Sequence, residues 1–259
     1  MNVPTLAEFI AEEKKPEVLF WIGCAGSFDE RAKKITKSFV KILQKAEVSF
    51  AVLGAEETCT GDPAKRTGNE FLFQMQAIKN IKVMNAYEVT RIVTTCPHCF
   101  NTLKNEYPSL GGKYEVMHHT TFINTLLKEE RFTISGTFYK GKRITYHDPC
   151  YLGRANQVYE APRKLIQKLD AELIEMKNCK SKGLCCGAGG AQMFKEPENG
   201  NKDINVERTE QAMETQPEII AAACPFCNTM MSDGVKNKEK EESVEVQDIA
   251  ELISKAEDL

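Results

Sequence analysis

Nine of the ten cysteines in this 259-residue chain fall into one pattern written twice. A shift of 126 positions lays Cys24 on Cys150 and Cys59 on Cys185, and each of these intervals encloses 34 residues. The next residues read Cys59-Thr60-Gly61 in the first half and Cys185-Cys186-Gly187 in the second. After the glycine, 34 residues precede Cys96 and 36 precede Cys224. Each of these opens a C-P-x-C: Cys96-Pro97-His98-Cys99 and Cys224-Pro225-Phe226-Cys227. A repeat of this kind makes the chain two copies of one supersecondary unit, and any fold must bring the same residues together twice.

The text between the cysteines repeats in kind. Short β-branched or aromatic runs ending at turn signals predict strands at Val18–Ile22, Ser49–Leu53, Ile92–Thr95 and Tyr114–Met117. The second half matches them with Arg143–His147, Glu172–Met176, Ile219–Ala223 and Val244–Val246. Between them, Ile35, Phe39, Leu43 and Ala46 recur at helical steps, as do Phe71, Met75 and Ile78, predicting amphipathic helices. Further helices are expected near Ala161–Leu169, Val206–Thr215 and Asp248–Ala256. Strands alternating with helices imply an α/β fold of two tandem, similar βαβ modules with parallel sheets. The cysteines then stand at the carboxyl ends of strands, where ligands of open parallel sheets gather, and a pseudo-twofold pair facing a common crevice is expected. The domains read as an N-terminal helix at 1–16, a first module at 17–130 and a second at 140–259. The join lies near Arg131 to Lys142, where Gly136 and Gly141 flank a polar stretch. Thr5 and Glu8 form a capping-box pattern ahead of Phe9 and Ile10, so the first helix should pack its apolar side on the core.

Composition narrows the chemistry. The net charge of −3 comes from 34 basic and 37 acidic residues that are interspersed, and no basic stripe suited to nucleic acid is present. Neither a signal-peptide pattern nor an apolar run of about 18 residues is found, so a cytoplasmic chain without a transmembrane segment is expected. In a reducing compartment ten cysteines point to metal or redox work rather than disulfides. A lone C-x-x-C would serve zinc, thiol–disulfide exchange or cluster ligation alike. Exchange chemistry gives no reason for Cys24, Cys59, Cys150, Cys185 or Cys186, whereas an iron–sulfur cluster needs soft thiolates from several chain segments. Adjacent Cys185 and Cys186 fit a cluster better than one small tetrahedral ion. The run Gly187-Ala188-Gly189-Gly190 would let backbone N–H groups approach cluster sulfurs, and it matches neither a P-loop nor a dinucleotide fingerprint.

The five-cysteine motif at Cys150, Cys185, Cys186, Cys224 and Cys227 resembles that of the cysteine-rich CCG domain family. This family includes the heterodisulfide reductase catalytic subunit, the anaerobic glycerol-3-phosphate dehydrogenase third subunit and lactate-utilisation iron–sulfur proteins. The resemblance covers nearly the whole chain, and it implies an iron–sulfur oxidoreductase subunit that passes electrons between a partner and an acceptor. It also implies a [4Fe–4S] cluster at these five residues, beside Gly187, of the non-cubane form found in heterodisulfide reductases. The first half departs from the motif at Thr60. Its four thiols, Cys24, Cys59, Cys96 and Cys99, suffice for a cubane [4Fe–4S] cluster and equally for a closed structural zinc. With no dinucleotide motif in the chain, the resemblance implies a flavin- or ferredoxin-type redox partner. Through a membrane-associated partner the chain would sit peripherally at the inner membrane face. A zinc-stabilised interaction module and a thiol–disulfide oxidoreductase using the C-x-x-C pairs are the alternatives.

Among other residues, His147 and Asp148 precede Pro149-Cys150 and are candidate proton donors, with capping of the turn as the competing role. His98 should adjust the electrostatics of the first site. His118 and His119 follow a strand and should be solvated or make a helix-start contact. Lys65, Arg66 and Arg154 could offset thiolate charge, and Cys179 stands outside the repeat.

Overall fold

The computed structural model describes residues 3–135, 137–196 and 199–259. Gly136 of the expected join, and the first two residues of the expected 1–16 segment, lie outside them. Two four-stranded, wholly parallel sheets with helices between the strands make up the chain.

The first sheet has β1 (Val18–Trp21), β2 (Phe50–Ala51), β3 (Arg91–Thr94) and β4 (Glu115–His118) in the order β2-β1-β3-β4. The second has β5 (Arg143–Tyr146), β6 (Glu172–Leu173), β7 (Ile219–Ala222) and β8 (Glu245–Asp248) in the order β6-β5-β7-β8. Every expected strand is present. The central strands β1 and β7 are buried along their whole length, which is why they read as unbroken apolar runs. The edge strands β2 and β6 are two residues each, shorter than expected, because pairing on one side ends before the apolar run does.

In both sheets the chain leaves the first strand to one side and returns to the other. The crevice between β1 and β3, and that between β5 and β7, is therefore a topological switch point. The loops that leave these strands carry the cysteines.

Helix α1 (Leu6–Ala11) has the Thr5/Glu8 capping box in full, and its backbone is tied to the first sheet by the Leu6 N–H donating to the Val52 carbonyl at 2.9 Å. Leu6 is buried, and Phe9 packs on the core. After α2 (Gly23–Phe28), helix α3 (Glu30–Lys45) buries Ile35, Phe39 and Leu43, and Ala46 follows them into the core. Helix α4 (Asp62–Arg66) precedes α5 (Glu70–Ala86), where the expected face is corrected. Phe71 and Met75 are 77% and 54% exposed and Ile78 is exposed with them, while Phe73, Ala77, Ile81 and Met84 face inward. Both sets obey helical spacing, and the inward one is chosen by the sheet.

Helices α6 (Pro97–Asn101), α7 (His119–Lys128), α8 (Glu160–Lys168), α9 (Ile204–Met213), α10 (Pro225–Asn237) and α11 (Ile249–Ala256) complete the layers. The two halves share one hydrophobic core, which runs from Leu19 and Phe39 through Ile123 and Ile144 to Leu165 and Ile253. Arg31 of α3 reaches across to Glu251 of α11 through two 2.7 Å hydrogen bonds and donates to the Val246 carbonyl at 2.8 Å. His119 at the start of α7 meets Asp248 of the second sheet at 3.0 Å, with both side chains fully buried.

Candidate metal-cluster centre

Both C-P-x-C motifs make the same local structure. Cys96 and Cys224 are extended N-cap residues, Pro97 and Pro225 open the helices α6 and α10, and Cys99 and Cys227 sit two positions after the prolines. Proline suits the first helical position because its missing N–H would lack a partner there anyway. The outcome is two thiols held over one helix start, where free N–H groups favour negative charge.

The remaining thiols arrive on loops from the other strands. Cys24 lies at the start of α2 after β1, Cys59 on the loop after β2, Cys150 directly after β5, and Cys185 and Cys186 on the long segment after β6. The N–H of Gly61 donates to Cys59 Sγ at 3.4 Å, and at the equivalent place the N–H of Gly187 donates to Cys185 Sγ at 3.3 Å. Both glycines have φ near +90°, a left-handed conformation that turns the N–H back onto the sulfur two residues earlier.

Cys186 Sγ lies 3.3 Å from Cys227 Sγ. Around this contact the thiols are near enough to shift one another's acidity: Cys150 and Cys185, Cys185 and Cys186, Cys227 and Cys224, Cys96 and Cys99, and, between the halves, Cys224 and Cys96. Cys24 and Cys59 form a further pair beside them. A β-carbon at Gly23, which has φ +78°, would stand 3.1 Å from Cys99 Sγ, tighter than ordinary contact, so a glycine lets the Cys24 loop pass this close to Cys99. Thr60, where the second half has Cys186, is buried with its hydroxyl 3.9 Å from Cys99 Sγ.

Such crowding splits the thiol acidities. The Cys24 contact and the Gly61 N–H bring Cys59 down to about 7, and Cys24 is pushed up as the proton holder of that pair. Contacts from Cys150 and Cys186, together with the Gly187 N–H, hold Cys185 far below the usual thiol range. Cys150 is raised correspondingly, and Cys186 goes up to about 12 beside Cys185. The crowding thus favours the thiolate, the form that binds iron, at Cys59, Cys96 and Cys185, while the other six thiols hold their protons.

The other expected residues fall into place around these sets. His147 is fully buried, and one of its ring nitrogens lies within 4.8 Å of Cys186 Sγ and Cys227 Sγ. Burial and the adjacent Arg208 lower it to about 3, so its imidazole is neutral. Asp148 is committed elsewhere: it accepts two hydrogen bonds from Arg163 at 2.7 and 2.9 Å and one from the Lys180 N–H at 2.7 Å. His98 sits at the seam between the halves. Its Nδ1 is 2.9 Å from Asp62, its ring stacks on Tyr151 with centroids 4.3 Å apart, and the Phe226 ring meets it edge-on at 5.4 Å. Burial works against its charge, but Asp62 and the neighbouring Cys96 thiolate outweigh it and raise its pKa.

Arg66 bonds to Asp62 at 3.0 Å and pairs with Glu106, which also takes Lys65 at 3.3 Å. Arg154 donates to the Gly183 carbonyl. His118 and His119 are fully buried rather than solvated, and the expected helix-start contact is present: His118, the N-cap of α7, bonds to Thr120 at 2.8 Å, and His119 pairs with Asp248 as described. Cys179 lies outside the linked thiols, partly exposed near Glu175.

Several neighbours carried no sequence signal. Glu57 accepts hydrogen bonds from the N–H groups of Ile22 and Gly23 at 3.1 and 2.6 Å, which clamps the Cys59 loop to the Cys24 loop. Asp62 and Arg208 were likewise silent. The partners that place them beside the thiols, His98 for Asp62 and His147 for Arg208, are distant in sequence, so no local motif betrays them.

The family model of the cysteine-rich domain, CCG, matches residues 18–104 and again residues 144–232. The chain belongs to this cysteine-rich CCG domain family. CCG relatives with similar sequence include a "Probable iron-sulfur-binding oxidoreductase FadF" of Bacillus subtilis (strain 168), 46% identical over 98% of this chain and 36% of that protein. An "EtfAB:quinone oxidoreductase" of Syntrophomonas wolfei is 45% identical over 98% of this chain and 36% of its own length. A subunit of the dihydromethanophenazine:CoB–CoM heterodisulfide reductase of Methanosarcina barkeri (strain Fusaro) is 32% identical over 94% of this chain and 60% of that one. The chain therefore spans between about a third and three-fifths of the relatives it matches.

The residues present fit iron–sulfur clusters. Nine thiols converge at two switch points, and glycine N–H groups already point at a sulfur in each half. Among the described residues, no helix is long and apolar enough to cross a membrane.

Proposed function

We propose that this chain is an iron–sulfur electron-transfer module of an oxidoreductase, with a five-thiol [4Fe–4S] cluster in the second half and a four-thiol cubane in the first. The observation that carries it is the gathering of nine thiols into two neighbouring sets, near enough that Cys224 and Cys96 of different halves shift one another's acidity. When bound, the clusters supply one-electron redox chemistry. The residues around them hold the thiolates, exclude water and keep the two sites in contact. Adjacent clusters so placed suit relay from a flavin- or ferredoxin-type partner to an acceptor. The quinone and heterodisulfide reactions named for the relatives make such a relay the natural role for this part of the longer proteins.

Geometry weighs against the rivals. Tetrahedral zinc with bonds of about 2.3 Å needs sulfurs roughly 3.8 Å apart. Five thiols, Cys150, Cys185, Cys186, Cys224 and Cys227, exceed the four that a closed zinc takes, and a larger cluster accommodates them. Thiol–disulfide exchange needs an accessible nucleophile, and all four C-P-x-C thiols are buried.

Anaerobic purification followed by iron, sulfide and zinc analysis, with EPR of oxidised and reduced protein, tests the reading. Iron and sulfide at about two four-iron clusters per chain are expected. A colourless protein holding only zinc would refute it. Electron transfer that persists in full in a Cys186→Ser variant lacking its native second cluster would also refute it.

A further inference from the structure

Trp21 stands three residues before Cys24, and His147 stands three residues before Cys150, so the two occupy the same position of the repeat. Both are fully buried at a switch point, Trp21 as the last residue of β1 and His147 as the first after β5. Each carries one ring nitrogen without a hydrogen-bond partner among the described residues: Trp21 Nε1 and His147 Nε2. An unmet buried donor is costly, and two at equivalent places call for a common acceptor.

The surroundings identify that acceptor. Trp21 Nε1 lies 4.0 Å from the point where a Gly23 β-carbon would stand, the same point that is 3.1 Å from Cys99 Sγ, so the indole N–H stands beside the first thiol set. The His147 ring borders the Cys186 and Cys227 sulfurs of the second. An indole nitrogen always carries its hydrogen. An imidazole has two possible positions for it, and Arg208 decides between them. Arg208 Nε donates to His147 Nδ1 at 3.0 Å, so the neutral ring carries its hydrogen on Nε2, the nitrogen without a partner among the described residues. Arg208 is itself fully buried and is anchored by donating to the Asn178 carbonyl at 2.8 Å.

The counterpart of Arg208 bears out this division of labour. Arg208 lies sixteen residues before Cys224, and Asn80 lies sixteen before Cys96. Asn80 leaves Trp21 alone and instead bonds to Thr58, the Cys59 carbonyl and the Tyr107 hydroxyl. A tryptophan needs no partner to fix its tautomer; a histidine does.

We propose that Trp21 Nε1–H and His147 Nε2–H are matched hydrogen-bond donors, one to the sulfur of each cluster, and that Arg208 is a positioning residue that fixes the donor tautomer of His147. The proposal rests on the cluster reading above. A donor to cluster sulfur stabilises the reduced, more negative state, so each pair raises the potential of its own cluster. On this view His147 tunes the second cluster and does not ligate it.

Since Trp21 is the one tryptophan of the chain, indole-15N labelling places a single reporter. ENDOR of the reduced, cluster-loaded chain should show coupling of this nitrogen to the first cluster. EPR-monitored titration should show a lower midpoint for the first cluster in Trp21→Phe, with the second unchanged. His147→Phe and Arg208→Met should lower the second and spare the first, at unchanged iron and sulfide content. A tenfold change in the reduced-to-oxidised ratio, about 59 mV for one electron, is the size expected. Full iron with no nitrogen coupling and unmoved midpoints would overturn the proposal alone. Loss of iron from the second site in His147→Phe would make His147 a ligand and overturn its half. A wild-type chain holding zinc and no iron would overturn the cluster reading, and this proposal with it.

Discussion

Glu57 is a carboxylate placed where two cysteine loops need a clamp. It is deeply buried, and burial pushes it up to about 7 in spite of the Ile22 and Gly23 N–H groups that favour its charge. A carboxyl raised from 4.5 holds its proton more tightly in the folded than in the unfolded chain. Its contribution is therefore whole below about pH 4.5 and is lost as pH rises toward 7, with a span of about 3 kcal/mol at most. At fixed metal content, urea unfolding from pH 4.5 to 7.5 should show wild type losing stability relative to Glu57→Gln; parallel curves would contradict the assignment. Thr60 offers a second test at this scale. It is buried 3.9 Å from Cys99 Sγ, and cysteine conserves most of its volume, so Thr60→Cys should cost less than about 1.5 kcal/mol. It also completes the second C-C-G of the chain. The EPR signature of the first site should move toward that of the second, and an unaltered spectrum would show that the fifth thiol is not taken up.

Among the elements, α11 shows how one residue can serve a helix and an interface together. Asp248 caps the helix by accepting from the Ala250 N–H at 2.9 Å, Glu251 closes the capping box, and the same Asp248 oxygen meets His119 of the first half. Asp248→Ala removes a cap worth about 1 kcal/mol and strands a buried imidazole at about 1–3 kcal/mol more. Thermal unfolding should fall by several degrees, and by less in Asp248→Asn, which keeps an acceptor; equal losses would mean that only the cap matters. The ends of these elements also mark how far the sequence could be read. The central strands were legible because parallel strands covered on both faces leave apolar runs, as in Val18–Trp21, and the partly exposed edge strands such as β8 were legible from their place in the repeat. The thiol sets were legible as a spacing. The inward face of α5 was not, because Phe71, Met75 and Ile78 keep helical register as well as Phe73, Ala77, Ile81 and Met84 do, and only the sheet chooses. Glu57, Trp21 and Arg208 escaped notice because what they contact is brought near only by the folded chain.

At the scale of the whole molecule, the repeat has become a single cooperative body. Two modules of about 130 residues could each fold alone if each closed its own core. Here the core is continuous across the halves, α3 is bonded to α11 through Arg31 and Glu251, and His119 and Asp248 bury a polar pair between the sheets. The cysteine sets follow the same rule, because the Cys96 and Cys224 thiols that join them belong to different halves. Cutting the chain within the 131–142 join would expose the apolar side of each half and leave Asp248, Arg31 and His119 without partners. Residues 1–139 and 140–259 expressed singly should therefore aggregate or show no cooperative unfolding. Expressed together they should assemble and bind iron, since the join itself supplies no residue to either thiol set. A half that unfolds alone in a sharp transition, with full iron for its own cysteines, would show the two sites to be independent and would break the link between shared core and paired clusters.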